Sequence, residues 1–93
     1  MTSGADVVWL DGEFRPVKAA IAANDRGLLL ADGAFDTALV LNARIFRGED
    51  HLARLLDACA CLGIPVDVGM LRSAMHALAL RCGDGPIRLT VTR

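Results

Sequence analysis

Lysine is nearly absent from this chain: of its 10 basic residues nine are arginine and only Lys18 is lysine, so chemistry that needs a lysine amine has a single candidate. Neither sign of charge prevails, since 10 basic residues face 11 acidic ones for a formal net charge of -1. That balance argues against nucleic acid or an anionic membrane as the main partner. Hydrophobic residues make up 54% of the chain, yet charges interrupt every long apolar run, and no stretch is suited to spanning a bilayer. The opening Met1-Thr2-Ser3-Gly4-Ala5-Asp6 lacks the basic and apolar regions of a signal peptide, which makes a cytoplasmic protein the expectation. Cys59, Cys61 and Cys82 are odd in number. Cys-Ala-Cys is too close for a structural zinc pair, and on a helix the two side chains diverge by about 160°. Buried, reduced thiols and no metal site are therefore expected.

What is present fits one small domain. About 60–65% of the unfolded surface can be buried at this length, so stability without a partner is expected to be modest. Internal repeats, linkers and low-complexity segments are lacking. Val7-Val8-Trp9-Leu10 is a β-branched and aromatic run, Asp11-Gly12 suits a two-residue primed turn, and Glu13-Phe14-Arg15 returns. Pro16 and Lys18 take the return strand out of the ladder, and residues 19–23 are expected to run extended. Asn24-Asp25-Arg26-Gly27 is turn chemistry, and Leu28-Leu29-Leu30 is read as a helical turn before Asp32-Gly33.

A strand is predicted from Ala34 to Leu41, turning at Asn42-Ala43 into Arg44-Ile45-Phe46. Gly48-Glu49-Asp50 opens the first helix with acidic residues in the favourable first turn, and Gly63 closes it with Ile64 as its apolar partner before Pro65. On that helix His51 and Arg54 share one side, while Leu52, Leu55, Leu56, Cys59 and Leu62 are predicted to form the buried stripe. Asp67 reads as the N-cap of a second helix, whose stripe is Val68, Leu71, Met75, Leu78 and Cys82, ending at Gly83. Asp84-Gly85-Pro86 then turns into an alternating strand, Ile87 to Thr92, followed by Arg93. The predicted architecture is α+β: an antiparallel sheet of two hairpins plus a last strand, with two helices packed on one face.

Three segments, Asn24-Asp25-Arg26-Gly27-Leu28, Ala31-Asp32-Gly33-Ala34-Phe35-Asp36-Thr37 and His51-Leu52-Ala53-Arg54-Leu55, resemble in order and spacing the amino-terminal half of class IV aminotransferases. That family uses pyridoxal phosphate and includes branched-chain and D-amino-acid transaminases and aminodeoxychorismate lyases. The resemblance covers Val8 to Arg93 but only about a third of a family member. It implies that residues 1–93 are the small amino-terminal domain, that the catalytic lysine and the acidic partner of the cofactor's ring nitrogen come from a large domain not in this chain, and that the whole works as a homodimer. Lys18 is then the wrong lysine, because catalysis needs an amine held at the cofactor. The remainder is expected to be missing, cleaved or carried on another chain.

The resemblance also implies roles for particular residues. Arg54 would contact the cofactor phosphate, a contact that suits an always-charged guanidinium on a helix face. Its bland alternative is a solvated residue beside Asp50 or Asp57. His51 would stand in the site behind the residues that touch the substrate, or else be a surface histidine in a first helical turn. Phe35 stands where the family presents an aromatic ring to the substrate, and it is otherwise a core residue. D-amino-acid transaminases carry Tyr there, so Phe suits a branched-chain or lyase-like site. Asp36-Thr37-Ala38 resembles the Thr-Thr-Ala of the lyases but departs from it at Asp36. Arg93, after Val91-Thr92, would bind the substrate carboxylate. Gly33 is expected to allow a conformation that a Cβ would forbid, and Asp32 reads as a structural turn residue. The implied reaction is amino-group transfer between an amino acid and a 2-oxo acid, with a lyase-like enzyme or a non-catalytic truncated binding or dimerisation module as the alternatives.

Overall fold

The structure is a computed structural model that describes residues 8–16, 21–22, 24–26 and 30–93. The extended run expected over residues 19–23 and the helical turn at residues 28–30 lie largely outside the described residues, as does Lys18. The elements are β1 (Val8–Leu10), β2 (Glu13–Arg15), β3 (Gly33–Leu41), β4 (Arg44–Ile45), α1 (Gly48–Leu62), α2 (Val68–Arg81) and β5 (Gly85–Thr92).

β3 organises the domain. It is the central strand of an antiparallel sheet of order β4-β3-β5, with Gly33 opposite Thr92 and Val40 opposite Gly85. Its alternation is nearly ideal: Ala34, Asp36, Ala38 and Val40 are buried, while Phe35, Thr37, Leu39 and Leu41 are exposed. Small Ala34 and Ala38 on the inner face let α1 come close, and Leu52, Leu55 and Cys59 pack there with Ile87 and Leu89 of β5. Val40, Leu52, Leu55 and Cys59 are the most fully buried side chains. The α+β architecture with the helices on one face of the three-stranded sheet is thus the expected one.

Local chemistry explains the ends of the elements. Asp11 and Gly12 both have positive φ, as a primed two-residue turn requires. Gly63 is left-handed, and its N–H bonds to Ala60 O while that of Ile64 bonds to Cys59 O, which closes α1 over a buried Ile64. Asp67 accepts the N–H of Met70 at 3.0 Å and caps α2. Asn42 and Ala43 also take positive φ, a conformation that costs Ala43 about 1–2 kcal/mol, and Asp84 supports the turn by accepting the N–H of Asn42 at 2.8 Å.

Several details differ from expectation. The hairpins do not share one sheet: β4 and β5 flank β3, and the first hairpin forms a separate two-stranded pair packed on the core through Trp9 and Phe14. Phe46 lies outside β4 and is exposed, although its N–H still bonds to Leu39 O at 2.8 Å. Leu62 and Val68 leave the predicted stripes because they sit at helix ends beyond the sheet; Ala74 and Ala79 take up the buried contact on α2 instead. Cys61, predicted buried, is exposed, since the stripe that buries Cys59 turns it away, and Cys82 is half-buried. Pro86 belongs to β5, which tolerates it as an edge strand.

Gly33 is needed for close approach rather than for an unusual φ. A Cβ there would lie 2.6 Å from Val91 O and 3.2 Å from the Cα of Thr92. Both are backbone atoms of the paired strand and cannot swing aside. Gly33→Ala is expected to lower stability by about 1–3 kcal/mol, the usual cost of overpacking, read as a drop in the urea midpoint. An unchanged midpoint would show that the β3–β5 pairing relaxes at no cost.

Candidate functional site

The inner face of β3 carries one ionisable group among its apolar side chains, Asp36, whose side chain is 10% exposed. A carboxylate in that position must be paired. The first turns of α1 supply the partners, one for each oxygen: His51 Nδ1 lies 2.5 Å from Oδ2 and Arg54 Nη2 lies 2.7 Å from Oδ1. The spacing of three residues puts both on the helix side that meets the strand.

Burial pushes the Asp36 carboxyl up, but the hydrogen bonds and charges of Arg54 and His51 outweigh it and hold the group below the usual carboxylate range. An ionised carboxylate only accepts, so Nδ1 of His51 carries the proton in this bond, and in the neutral ring Nε2 is left as an acceptor. Arg54 is anchored at one nitrogen, yet its side chain is 69% exposed. It borders a depression of about 560 Å³ lined also by Arg47, Asp50, His51 and Ala53. This donor set fits a phosphate group: a guanidinium held in place by a carboxylate, with N–H donors beyond the one on Asp36 and its cation at the rim of an open depression.

Phe35 follows the opposite alternation and lies on the outer face of the sheet, 59% exposed. Arg88 of β5 stands over its ring, with the guanidinium carbon 4.0 Å from the centroid. Arg88 is opposite Thr37 and Thr90 is opposite Phe35 in the register, so these four share that face.

Arg93 is in neither place. Its Nε donates to Asp32 at 2.9 Å, and Nη1 and Nη2 donate to Gly63 O and Leu62 O at 3.2 and 2.5 Å, at the far end of α1. The four residues singled out in the sequence therefore occupy three locations: His51 and Arg54 together, Phe35 through the sheet, and Arg93 at the opposite end of the helix. Sequence reasoning missed Asp36 as the hub and Arg88 as the partner of Phe35. The signal for Asp36 was available, as an acid in phase with the buried Ala34, Ala38 and Val40. Arg88 is signalled by being out of phase with the buried Ile87 and Leu89.

The depressed titration of Asp36 has a definite sign. The group is ionised in the fold below the pH at which it protonates in the unfolded chain, so its contribution is complete above about pH 5, well past the ordinary carboxylate value near 4, and is lost as pH falls through the folded value. Asp32 is shifted in the same direction: burial raises it, and Arg26 and Arg93 more than offset this. Asp36→Asn is expected to flatten, without abolishing, the fall in the urea midpoint between pH 5 and pH 3, because Asp32 still titrates. An identical acid slope in the mutant would remove Asp36 from this role.

Residues 33–93 match the family model described as amino-transferase class IV. The chain is 31% identical to a putative branched-chain-amino-acid aminotransferase of Methanocaldococcus jannaschii over 92% of its own length and 32% of that protein's. It is 32% identical to a bifunctional aminodeoxychorismate lyase and D-amino acid transaminase of Mycobacterium tuberculosis over 94% of its length and 32% of the relative's. Among solved structures, the 4-amino-4-deoxychorismate lyase of Pseudomonas aeruginosa superposes with a TM-score of 0.77 at 40% identity, covering 84% of this chain and 29% of that one. A hypothetical aminotransferase from Mycobacterium tuberculosis in its PLP-bound form gives a TM-score of 0.83 at 32% identity, covering 94% of this chain and 33% of that one. The chain thus spans about a third of the length of these relatives. By the match across β3 to β5 and by the agreement of fold and sequence with these proteins, this chain belongs to the class IV aminotransferase family.

Proposed function

We propose that residues 1–93 form the small amino-terminal domain of a pyridoxal-phosphate-dependent class IV aminotransferase, which transfers an amino group between an amino acid and a 2-oxo acid. In this reading the domain holds the cofactor phosphate and forms part of the substrate wall. The observation that carries it is Arg54, fixed by Asp36 yet with its remaining donors open to the adjacent depression. Pyridoxal phosphate, when bound, supplies an electron sink for charge developing at the substrate Cα. Arg54 binds the phosphate, Asp36 orients Arg54, and His51 completes the pairing of the buried carboxylate. The catalytic lysine comes from a large domain beyond these residues, a reading supported by relatives three times as long as the match. The homodimer implied by the family resemblance and the cytoplasmic location expected from the opening residues belong to the same reading, and among the described residues no helix is long and apolar enough to cross a membrane.

On the substrate side, Phe35 provides an apolar wall. Arg93 has all three of its guanidinium nitrogens engaged by Asp32 and the end of α1, whereas among the described residues Arg88 is held only against the ring of Phe35. Arg88 is therefore the better candidate for a substrate carboxylate. A second reading, an aminodeoxychorismate lyase-like enzyme, is supported by the 40% identity to the Pseudomonas aeruginosa lyase. Turnover that needs no added 2-oxo acid would favour it.

In the complete protein, Arg54→Leu is expected to weaken cofactor retention by about 1.5–3 kcal/mol, the worth of a charge-assisted hydrogen bond, and also to lower stability, because Asp36 Oδ1 loses its donor while His51 still holds Oδ2. An unchanged dissociation constant for pyridoxal phosphate would make Arg54 a solvated surface residue. Arg88→Ala is expected to raise KM for α-amino acids roughly ten- to a hundred-fold and to leave amines without a carboxylate unaffected. The same selective loss in Arg93→Ala instead would assign the carboxylate to Arg93.

A further inference from the structure

α1 is held against the sheet at both ends by side chains from outside the helix. At its start Asp36 holds His51 and Arg54. At its end the holding group is Arg93, whose three guanidinium nitrogens reach Asp32, Gly63 O and Leu62 O, and whose backbone N–H bonds to Asp32 O at 3.0 Å. The helix needs such a group, because it has no basic residue in its last turn. The carbonyls of Cys59 and Ala60 are used by the N–H groups of Ile64 and Gly63, while that of Leu62 finds its donor in Arg93. The guanidinium thus brings both missing donors and a positive charge to the negative end of the helix. Asp32 is itself tied by Arg26 at 3.0 Å, so the clamp rests on a fixed anion.

We infer that Arg93 is a positioning residue for Arg54. A helix transmits a constraint along its axis, and the eight residues from Arg54 to Leu62 span about 12 Å at 1.5 Å per residue. With both ends fixed, the height and tilt of Arg54 relative to the sheet are set; without Arg93, only the apolar packing of Cys59 and Ile64 holds the far end, which leaves the helix freer to tilt about the Asp36 end. The planar fork of Arg93 matters as much as its charge, because an ammonium group is a single point and cannot reach the Asp32 carboxylate and two carbonyls from fixed directions. The inference rests on the reading of Arg54 as the phosphate contact, and it gives Arg93 a part in cofactor binding without a contact to cofactor or substrate.

The test titrates the apo form of the complete protein with pyridoxal phosphate and, separately, with pyridoxal, which lacks the phosphate. Arg93→Ala is expected to weaken pyridoxal phosphate binding roughly tenfold, within the hundredfold that misplacing a positioning group by about 1 Å can cost, and to leave pyridoxal unaffected. Arg93→Lys, which keeps the charge at the helix end and so keeps the fold if the alanine variant does not, is expected to show the same selectivity by a smaller factor. The double variant Arg54→Leu/Arg93→Ala should bind pyridoxal phosphate no more weakly than Arg54→Leu alone, because Arg93 acts only through Arg54. Equal losses for the two ligands, losses that add in the double variant, or a lowered melting temperature with unchanged affinity would each overturn the inference. If Arg54→Leu itself leaves the affinity intact, it is the phosphate reading that fails, and the inference falls with it.

Discussion

The domain depends on one buried carboxylate. Asp36 lies where the strand alternation calls for an apolar side chain, between a sheet and a helix, and it is tolerable there because each oxygen receives a charge-assisted hydrogen bond from α1. Breaking such an arrangement by removing the donors is far more costly than never having built it, since the anion would be left without a partner. The same contact fixes the rotation of α1 about its axis, because His51 and Arg54 can both reach the strand in only one orientation. Packing of Leu52, Leu55 and Cys59 on Ala34 and Ala38 is then consistent with that orientation rather than the sole cause of it.

Because successive residues of β3 face opposite sides, one short run serves two environments. Asp36 is directed at the helix layer, and Phe35 and Thr37 are directed outward beneath Arg88. The chemistry-bearing groups are thus distributed on both sides of a sheet one strand thick. A shift of register by a single residue would bury Phe35 and expose the carboxylate, which is a strong reason for the pairing of β3 with β5 to be tightly specified by Gly33 at one end and by the bond from Asn42 N–H to Asp84 at the other.

Much of this was legible in the sequence. Asp11-Gly12, Gly63-Ile64-Pro65 and Asp67 carry local signals strong enough to place a turn, a helix end and a helix start, and β3 announces itself by period-two alternation. The legible part of the candidate site was the pair on α1, since a spacing of three residues needs no tertiary knowledge. What could not be read was pairing between distant segments. That Asp36 would receive both donors follows from the docking of α1 on β3, and that Arg88 would cover Phe35 and Arg93 would reach Asp32 follows from the β3–β5 register; no local pattern encodes either. The single sheet expected for both hairpins failed for a related reason: local patterns show that strands exist, whereas which edges are free is a property of the whole arrangement. Cys61 was misjudged because it points away from the stripe that buries Cys59, and Leu62 because an apolar residue at a helix end is buried only if a neighbour extends that far.

The central pairing also has a kinetic side. β3 acquires β4 through a two-residue turn, but its other neighbour, β5, arrives only after both helices have been made, since the partners from Gly33 with Thr92 to Val40 with Gly85 lie roughly 45 to 60 residues apart in the chain. Closing so long a loop before any pairing is gained is an entropic cost that falls on the folding transition state rather than on the native structure. The docking of α1 on the hairpin of β3 and β4, guided by the buried carboxylate, involves much shorter separations and can precede it. Until β5 closes, β3 keeps an unpaired edge alongside its apolar inner face, and the lifetime of that half-built sheet is the interval in which the nascent domain is most exposed to pairing with the wrong strand.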